Sequence, residues 1–297
     1  RALEDWQNAA PRLNRVYEAL NHGNVQTIDA EDVITLDMAA LAAPLPRAYE
    51  FVDGSAYLPH VARVRKARGA EVPESFYTDP LMYQAVSAGF YGPRDPVLVP
   101  SEAFGIDLEA EVVVVTDDVP MGVTPKQAAG HIQLIGLIND VSLRNLIPDE
   151  LAKGFGFLQS KPRSALSPVF VTPDELADAW QDSKVHLALL THINGEWFGA
   201  PEAGVDMQFN FAQLIAHAAK TRPLSAGTII GSGTVANEDT ALGASCFAER
   251  RTVETLRDGK PSTPFMKFGD VVRIEMNDRS GASVFGAIEQ KITAAGA

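Results

Sequence analysis

The chain has 297 residues, enough for one large domain or two modest ones, and its 46% hydrophobic and 21% charged content is ordinary for a folded, water-soluble protein. With 25 Lys and Arg against 38 Asp and Glu the formal net charge is -13, which argues against a nucleic-acid backbone or an anionic membrane as partner. Cys246 is the only cysteine, which excludes an intrachain disulfide and makes a reducing cytoplasm the expected location; no apolar run reaches the roughly 18 residues of a membrane span, and no signal peptide is recognised.

From the N-terminus, Leu3, Trp6, Leu13, Val16, Tyr17 and Leu20 are spaced like the apolar face of a helix, which Pro11 should bend or split. Residues 25–50 are weakly patterned and end in the Pro-rich APLPRAYE, a connector. The chain therefore divides into an N-terminal helical segment with its connector, 1–45, and a main domain, 46–297. Expected strands are VLVP (97–100), EVVVVT (111–116), VHLALLTHIN (185–194), TIIGSG (228–233), VVRIEM (271–276) and SVFGAIEQ (283–290). Thr124-Pro125-Lys126-Gln127 and Thr172-Pro173-Asp174-Glu175 carry helix-start signals, predicting helices to about Ile138 and about Trp180. A third helix is expected over 211–220. Irregularly spaced strands with a few helices do not suit a doubly wound fold; the pattern is that of an α+β protein dominated by a mixed, rolled sheet.

Four places hold charge where local structure gives little reason for it. In DLEAEVVVV (107–115), Glu109 and Glu111 project from the same face of a strand, where their repulsion grows as water is excluded. Either the start of the strand is in solvent, or a divalent cation lies between the two side chains. In IGLINDVSLRNLIP, Asn139, Asp140 and Arg144 interrupt an apolar passage, although Asp140 also suits the turn after a helix. Asp53 and His60 flank a turn entering a basic helix, where an Asp can be a cap and a His an ordinary partnered residue. Lys161 stands between apolar flanks in GFGFLQSKPRSALSP, or else in a solvated loop. Asp53, Glu109, Glu111 and Asp140 are hard oxygen ligands of the kind that select Mg²⁺, Ca²⁺ or Mn²⁺, with no cysteine or histidine pairs for zinc. Their separation in sequence leaves open whether they converge.

Taken together, DLEAE, INDVSLR, FLQSKPRSALSP and GTIIGSGT resemble the fumarylacetoacetate hydrolase family, from about residue 45 to the C-terminus, with bacterial fumarylacetoacetases the nearest in pattern. The resemblance implies a β-rich roll with the active site at its mouth, a small N-terminal domain reduced here to the segment before residue 45, and a homodimer. It implies metal ligation by Asp53, Glu109, Glu111 and Asp140, with His60 as general base oriented by Glu249 of the SCFAER loop. Lys161 matches the active-site lysine, and Tyr83, Arg68, Arg144 and Thr234 match substrate contacts. One position departs from the pattern: Ile147 stands where fumarylacetoacetases carry a substrate-contacting glutamine.

The activity implied is metal-dependent hydrolysis of a carbon–carbon bond in a small-molecule 1,3-diketo acid, fumarylacetoacetate giving fumarate and acetoacetate in tyrosine and phenylalanine breakdown. The departing enolate is a poor leaving group unless a cation neutralises it, and the attacking water needs a base such as His60. Acylpyruvate hydrolysis, 2-oxo acid decarboxylation and enol hydration draw on the same chemistry. A non-catalytic relative would lack the base or the lysine, and both residues are present.

Overall fold

A computed structural model of the chain describes residues 2–22, 33–67 and 69–296. Helix α1 (Trp6–Asn21) carries Pro11 inside it and runs on as one element, neither split nor ended by the proline, which forgoes a single bond to the carbonyl of Gln7. Strand β1 (Phe51–Gly54) leads into helix α2 (Leu58–Ala67), followed by β2 (Met82–Ala85) and β3 (Val97–Val99). The acidic stretch spans the short β4 (Ile106–Asp107) and the start of β5 (Ala110–Thr116). Next come α3 (Pro125–Ala128), β6 (Ile132–Asn139), β7 (Ser142–Leu143), α4 (Ile147–Ala152) and β8 (Ala165–Leu166). After β9 (Trp180–Gln181) and β10 (Lys184–Val185) the chain forms β11 (Leu189–Ile193), β12 (Glu196–Gly199) and α5 (Phe211–Ala218). It closes with β13 (Ile229–Gly231), α6 (Phe247–Asp258), β14 (Val271–Met276) and β15 (Ile288–Ala294).

Two sheets carry the fold, one ordered β2-β1-β13-β5-β6-β8 and the other β12-β11-β14-β15-β3. Both are mixed: β1 runs parallel to β13 and β15 parallel to β3, and the remaining pairs are antiparallel. This is the α+β, β-rich rolled architecture expected. Val112, Val114, Ile135 and Leu137 of the first sheet share one apolar cluster with Leu189, Val272, Ile274 and Ile288 of the second. The opposite face of β5, through Val113 and Val115, packs in a second cluster with Phe51 and Ile229, against which Leu3 and Leu45 lie. Burial on both faces explains why β5 reads as an unbroken apolar run.

Several expectations need correction. The strand expected over 185–194 is two, because β10 ends at Val185 in its pairing with β9 and β11 begins at Leu189 in the second sheet. The Thr124 start signal is real, with its reciprocal capping hydrogen bonds to Gln127, but the helix stops at Ala128 and residues 132–139 form β6 instead of continuing to Ile138. Seven of the eight residues of β6 pair with β5, from Asn139 back to Leu134 and again at Ile132, and sheet pairing outweighs whatever helical preference the segment has. The segment opened by Thr172 is a 3₁₀ run, Pro173–Ala179, kinked at Ala177. At the C-terminal end the last strand is 288–294, shifted from the expected 283–290, because Gly286 takes a left-handed conformation (φ 70°) that breaks the strand before it.

Candidate active site

The acidic residues converge at one end of the first sheet. Asp53 comes from β1, Glu109 and Glu111 from the entry to β5, and Asp140 from the residue that follows β6. Carboxylate oxygens of Asp53, Glu111 and Asp140 lie within 4.8 Å of one another, and all three residues are buried. Between Asp53 and Glu111 runs β13, whose Gly231 pairs with Asp53 on one side and Val113 on the other. The absent side chain at 231 is where the Asp53 carboxylate fits. Gly233 then donates its amide to Asp53 Oδ1 at 3.1 Å, in a left-handed conformation (φ 77°) that brings it against the Gly54 carbonyl. The two glycines of the GSGT stretch, Gly231 and Gly233, are thus spatial requirements of the acidic site.

Glu111 is fully buried, and neither of its oxygens receives a hydrogen bond from any described residue. Burial, then the charges of Asp53, Asp140 and Glu109, push its pKa well above the ordinary carboxylate range. Asp53 is pushed up to about 8, by burial first and by Asp140 next. Such a cluster of oxygen acceptors with an orphaned buried carboxylate fits a hard divalent cation, which would convert mutual repulsion into joint attraction. The solvent explanation for the paired glutamates fails, because the start of β5 is buried. A cation between the two is not what the geometry offers either, since the oxygens that converge are those of Glu111, Asp53 and Asp140, and Glu109 is ion-paired with Arg144 and Lys161.

Glu109 is differently placed. It accepts from Arg144 Nη2 at 2.7 Å and from Lys161 Nζ. Burial alone would raise its pKa, but Lys161 and then Arg144 outweigh burial and hold it well below the usual range. Lys161 is buried too, and its ammonium also donates to Asp140 Oδ2 at 2.7 Å. Burial would discharge it, yet Asp140 and Glu109 keep it protonated far above the ordinary lysine range. The solvated-loop alternative for Lys161 therefore fails. Asp140 is further held by the Ser164 hydroxyl at 2.6 Å and the Tyr83 hydroxyl at 2.5 Å. Tyr83 faces Asp53 across the β1–β2 pair, and burial, then Asp140, keep its phenol neutral and a donor.

His60, on α2, is half-buried and places Nδ1 2.5 Å from Glu249 Oε2. Glu249 does not lie in a loop: it is the third residue of α6, with Cys246 at the cap. The cap is assisted from elsewhere in the chain, since Asp107 accepts from the amides of Phe247 and Ala248 at 2.7 and 2.9 Å and is clamped by Arg144 Nε at 2.7 Å. Arg144 thus ties the mount of Glu249 to Glu109. Glu249 is kept ionised below its ordinary range by His60 and Arg63, against the effect of burial. Asp53, Tyr83, His60, Glu109, Glu111, Arg144, Lys161 and Thr234 all line one cavity of about 170 Å³, joined by Ile147 and Phe157. Asp53 lies within β1, not at the start of α2, which removes the helix-cap alternative. Arg68 lies outside the described residues.

Among the residues not singled out from sequence, such as Phe157 and Ser164, two support the site from behind. Arg63 contacts Glu249 beside His60, and the three-residue spacing from His60 on a helix is the signal that points to it. Glu150, on α4, accepts the amides of Leu158, Gln159 and Ser160 and so holds the loop that delivers Lys161; no local pattern announces it.

A carboxylate cluster able to hold a divalent cation thus lies beside a histidine–carboxylate pair and a buried lysine, an arrangement of ionisable groups of the kind that marks a functional site. The chain belongs to the fumarylacetoacetate hydrolase family: residues 50–293 match the family described as "Fumarylacetoacetate (FAA) hydrolase C-terminal". Residues 1–47 match "Fumarylacetoacetase N-terminal domain 2". A 2,4-didehydro-3-deoxy-L-rhamnonate hydrolase of a Sphingomonas species is 30% identical over 160 residues, a match spanning 53% of this chain and about half, 53%, of that protein. A mitochondrial oxaloacetate tautomerase of Xenopus laevis is 24% identical over 291 residues, 95% of this chain and 80% of the relative. In fold, the chain is similar to a 5-carboxymethyl-2-hydroxymuconate delta-isomerase from Mycobacterium smegmatis, with a TM-score of 0.59 at 21% identity over 86% of this chain and 83% of that one. Among the described residues no helix is long and apolar enough to cross a membrane.

Proposed function

We propose that this family member is a divalent-metal-dependent hydrolase of 1,3-diketo acids, with fumarylacetoacetate the substrate to test first. The observation that carries the reading is His60, backed by a buried ionised carboxylate and opening into the same cavity as Lys161 and the acidic cluster. A cation held by Asp53, Glu111 and Asp140, with Glu109 alongside as the family pattern implies, would supply Lewis-acid stabilisation of the substrate enolate. His60 takes a proton from water, and Glu249 fixes its tautomer and offsets the imidazolium charge. The water oxygen bonds to the carbonyl carbon, and Lys161, which lines the same cavity, would stabilise the developing oxyanion by donation. As the carbon–carbon bond breaks, the electron pair leaves with the acetoacetate fragment, and His60 returns the proton to that carbon.

A second reading has specific support in the tautomerase similarity over nearly the whole chain. The same dyad can move a proton between carbon and oxygen of a 2-oxo acid without admitting water. The two readings separate in one assay. Loss of the diketone absorbance of fumarylacetoacetate, with release of fumarate and acetoacetate and sensitivity to EDTA, supports hydrolysis. No cleavage of fumarylacetoacetate or of an acylpyruvate, together with accelerated enol–keto exchange of oxaloacetate, supports the tautomerase and refutes the hydrolase.

A further inference from the structure

Arg63 lies one helical turn beyond His60 on α2, and that spacing aims both side chains at α6. Together they occupy both oxygens of Glu249: His60 Nδ1 meets Oε2 at 2.5 Å, and Arg63 Nη1 donates to Oε1. The other arm of the guanidinium, Nη2, donates to the carbonyls of Asn237 at 2.5 Å and Glu238 at 2.8 Å. Asn237 is itself fixed, accepting from the Glu202 amide and donating to the Glu202 and Val205 carbonyls. It follows Thr234, a wall of the cavity, by three residues. One planar fork therefore joins the helix bearing the base, the helix bearing its carboxylate, and the loop that runs on from Thr234. His60 lines the cavity, whereas Arg63 stands behind it with its side chain only 13% exposed.

Without that fork, Oε1 of a carboxylate only 2% exposed would be an unpaired buried acceptor, and the carboxyl plane would be free to turn away from the imidazole. We propose that Arg63 is a positioning residue completing a His60–Glu249–Arg63 unit: it locks the plane of Glu249, so that Nδ1 of His60 is held and Nε2 is presented to the reactants. The inference rests on the proton-transfer role assigned to His60 above. Lysine cannot replace the fork, since a single ammonium reaches the carboxylate or the two carbonyls but does not span them in one plane.

The test is steady-state kinetics of Arg63→Met, Arg63→Lys, Glu249→Gln and the Arg63→Met/Glu249→Gln double variant on the Mg²⁺-loaded protein, with oxalate affinity measured by calorimetry. Arg63→Met is expected to lower kcat by about 10- to 100-fold while KM and the oxalate Kd stay within about twofold. Arg63→Lys should recover part of that loss. On the Glu249→Gln background Arg63→Met should cost less than about twofold more, because its effect passes through Glu249. Unchanged kcat in Arg63→Met overturns the inference, as do losses that multiply in the double variant. If Arg63→Met does not fold, Arg63→Lys with and without Glu249→Gln makes the same comparison, and a loss that persists undiminished on the Gln background overturns it. Full activity of His60→Ala would overturn the acid–base reading and this inference with it; an inactive His60→Ala beside a fully active Arg63→Met overturns the inference alone.

Discussion

A methyl group on Gly231 would stand 2.1 Å from Oδ1 of Asp53, far inside any real carbon–oxygen contact. The carboxylate that reaches toward β5 occupies the space a side chain on β13 would fill. Gly231→Ala must therefore displace Asp53, the residue whose backbone pairs with it. Because Gly231 has no left-handed backbone to lose, the substitution strains the site and not the strand. The expected outcome is a fold retained by circular dichroism and a Mg²⁺ affinity reduced about 100-fold, comparable to losing one carboxylate ligand. Wild-type affinity in Gly231→Ala would remove Asp53 from the cation site.

The raised pKa of Asp53 gives a linked pH dependence. Burial and then Asp140 push its carboxyl up to about 8 in the folded chain against an ordinary value of 3.8, so between those limits the folded state keeps a proton that the unfolded state has released. Folding stability in EDTA should therefore fall as pH rises from about 4 toward 8. Cation binding must expel the same proton, so apparent Mg²⁺ affinity should rise with pH over that window, by up to about tenfold per unit for each proton released. Calorimetric titrations in two buffers of different ionisation enthalpy count the protons. Zero release at pH 7 would contradict the assignment.

The sequence disclosed the chemistry of this site better than its scaffolding. Glu109 and Glu111 announced themselves because charges two apart at the start of an apolar strand conflict with burial unless something compensates. Helix α6 was hidden for the converse reason: its cap is a cysteine, and its first free amides are met by Asp107, some 140 residues away in sequence, as the hydrogen bonds from Phe247 and Ala248 show. The strand 132–139 reads as a helix because an apolar run following a strong helix start does not reveal its period. Gly136 was the available clue: Phe170 packs so closely there that a Cβ would lie 2.1 Å from its ring, a contact that suits a glycine in a sheet and has no use on a helix continued from Thr124.

Glu150 provides a test at a distance from the reacting atoms. Its carboxylate accepts three consecutive amides, those of Leu158, Gln159 and Ser160, together with the Ser160 hydroxyl at 2.5 Å. Burial pushes its pKa up, but Ser160 and the amides prevail and bring it down to about 2, so it is ionised at neutral pH. A glutamine has one acceptor oxygen and cannot satisfy all four donors. Glu150→Gln should free the loop before Lys161, lowering kcat by about tenfold with Mg²⁺ affinity unchanged. Hydrogen exchange should quicken at residues 158–160. Wild-type protection there, whatever the kinetics, would show that Glu150 does not hold the loop.

The division of labour between His60 and Lys161 predicts two variants that fail differently. His60 meets Glu249 and is absent from the carboxylate cluster, so His60→Ala should remove turnover, by about 100- to 10,000-fold, and leave Mg²⁺ binding intact. Lys161 donates to Glu109 and Asp140, so its ammonium competes with any cation those acids attract. Lys161→Met deletes that competing charge: Mg²⁺ should bind as tightly as before or more tightly, while kcat falls about 100-fold for want of a donor to the oxyanion. Calorimetry and steady-state rates on the same preparations resolve the two effects. A Lys161→Met protein whose Mg²⁺ affinity drops in step with its kcat would show that the lysine holds the acidic cluster in shape and takes no part in the chemistry.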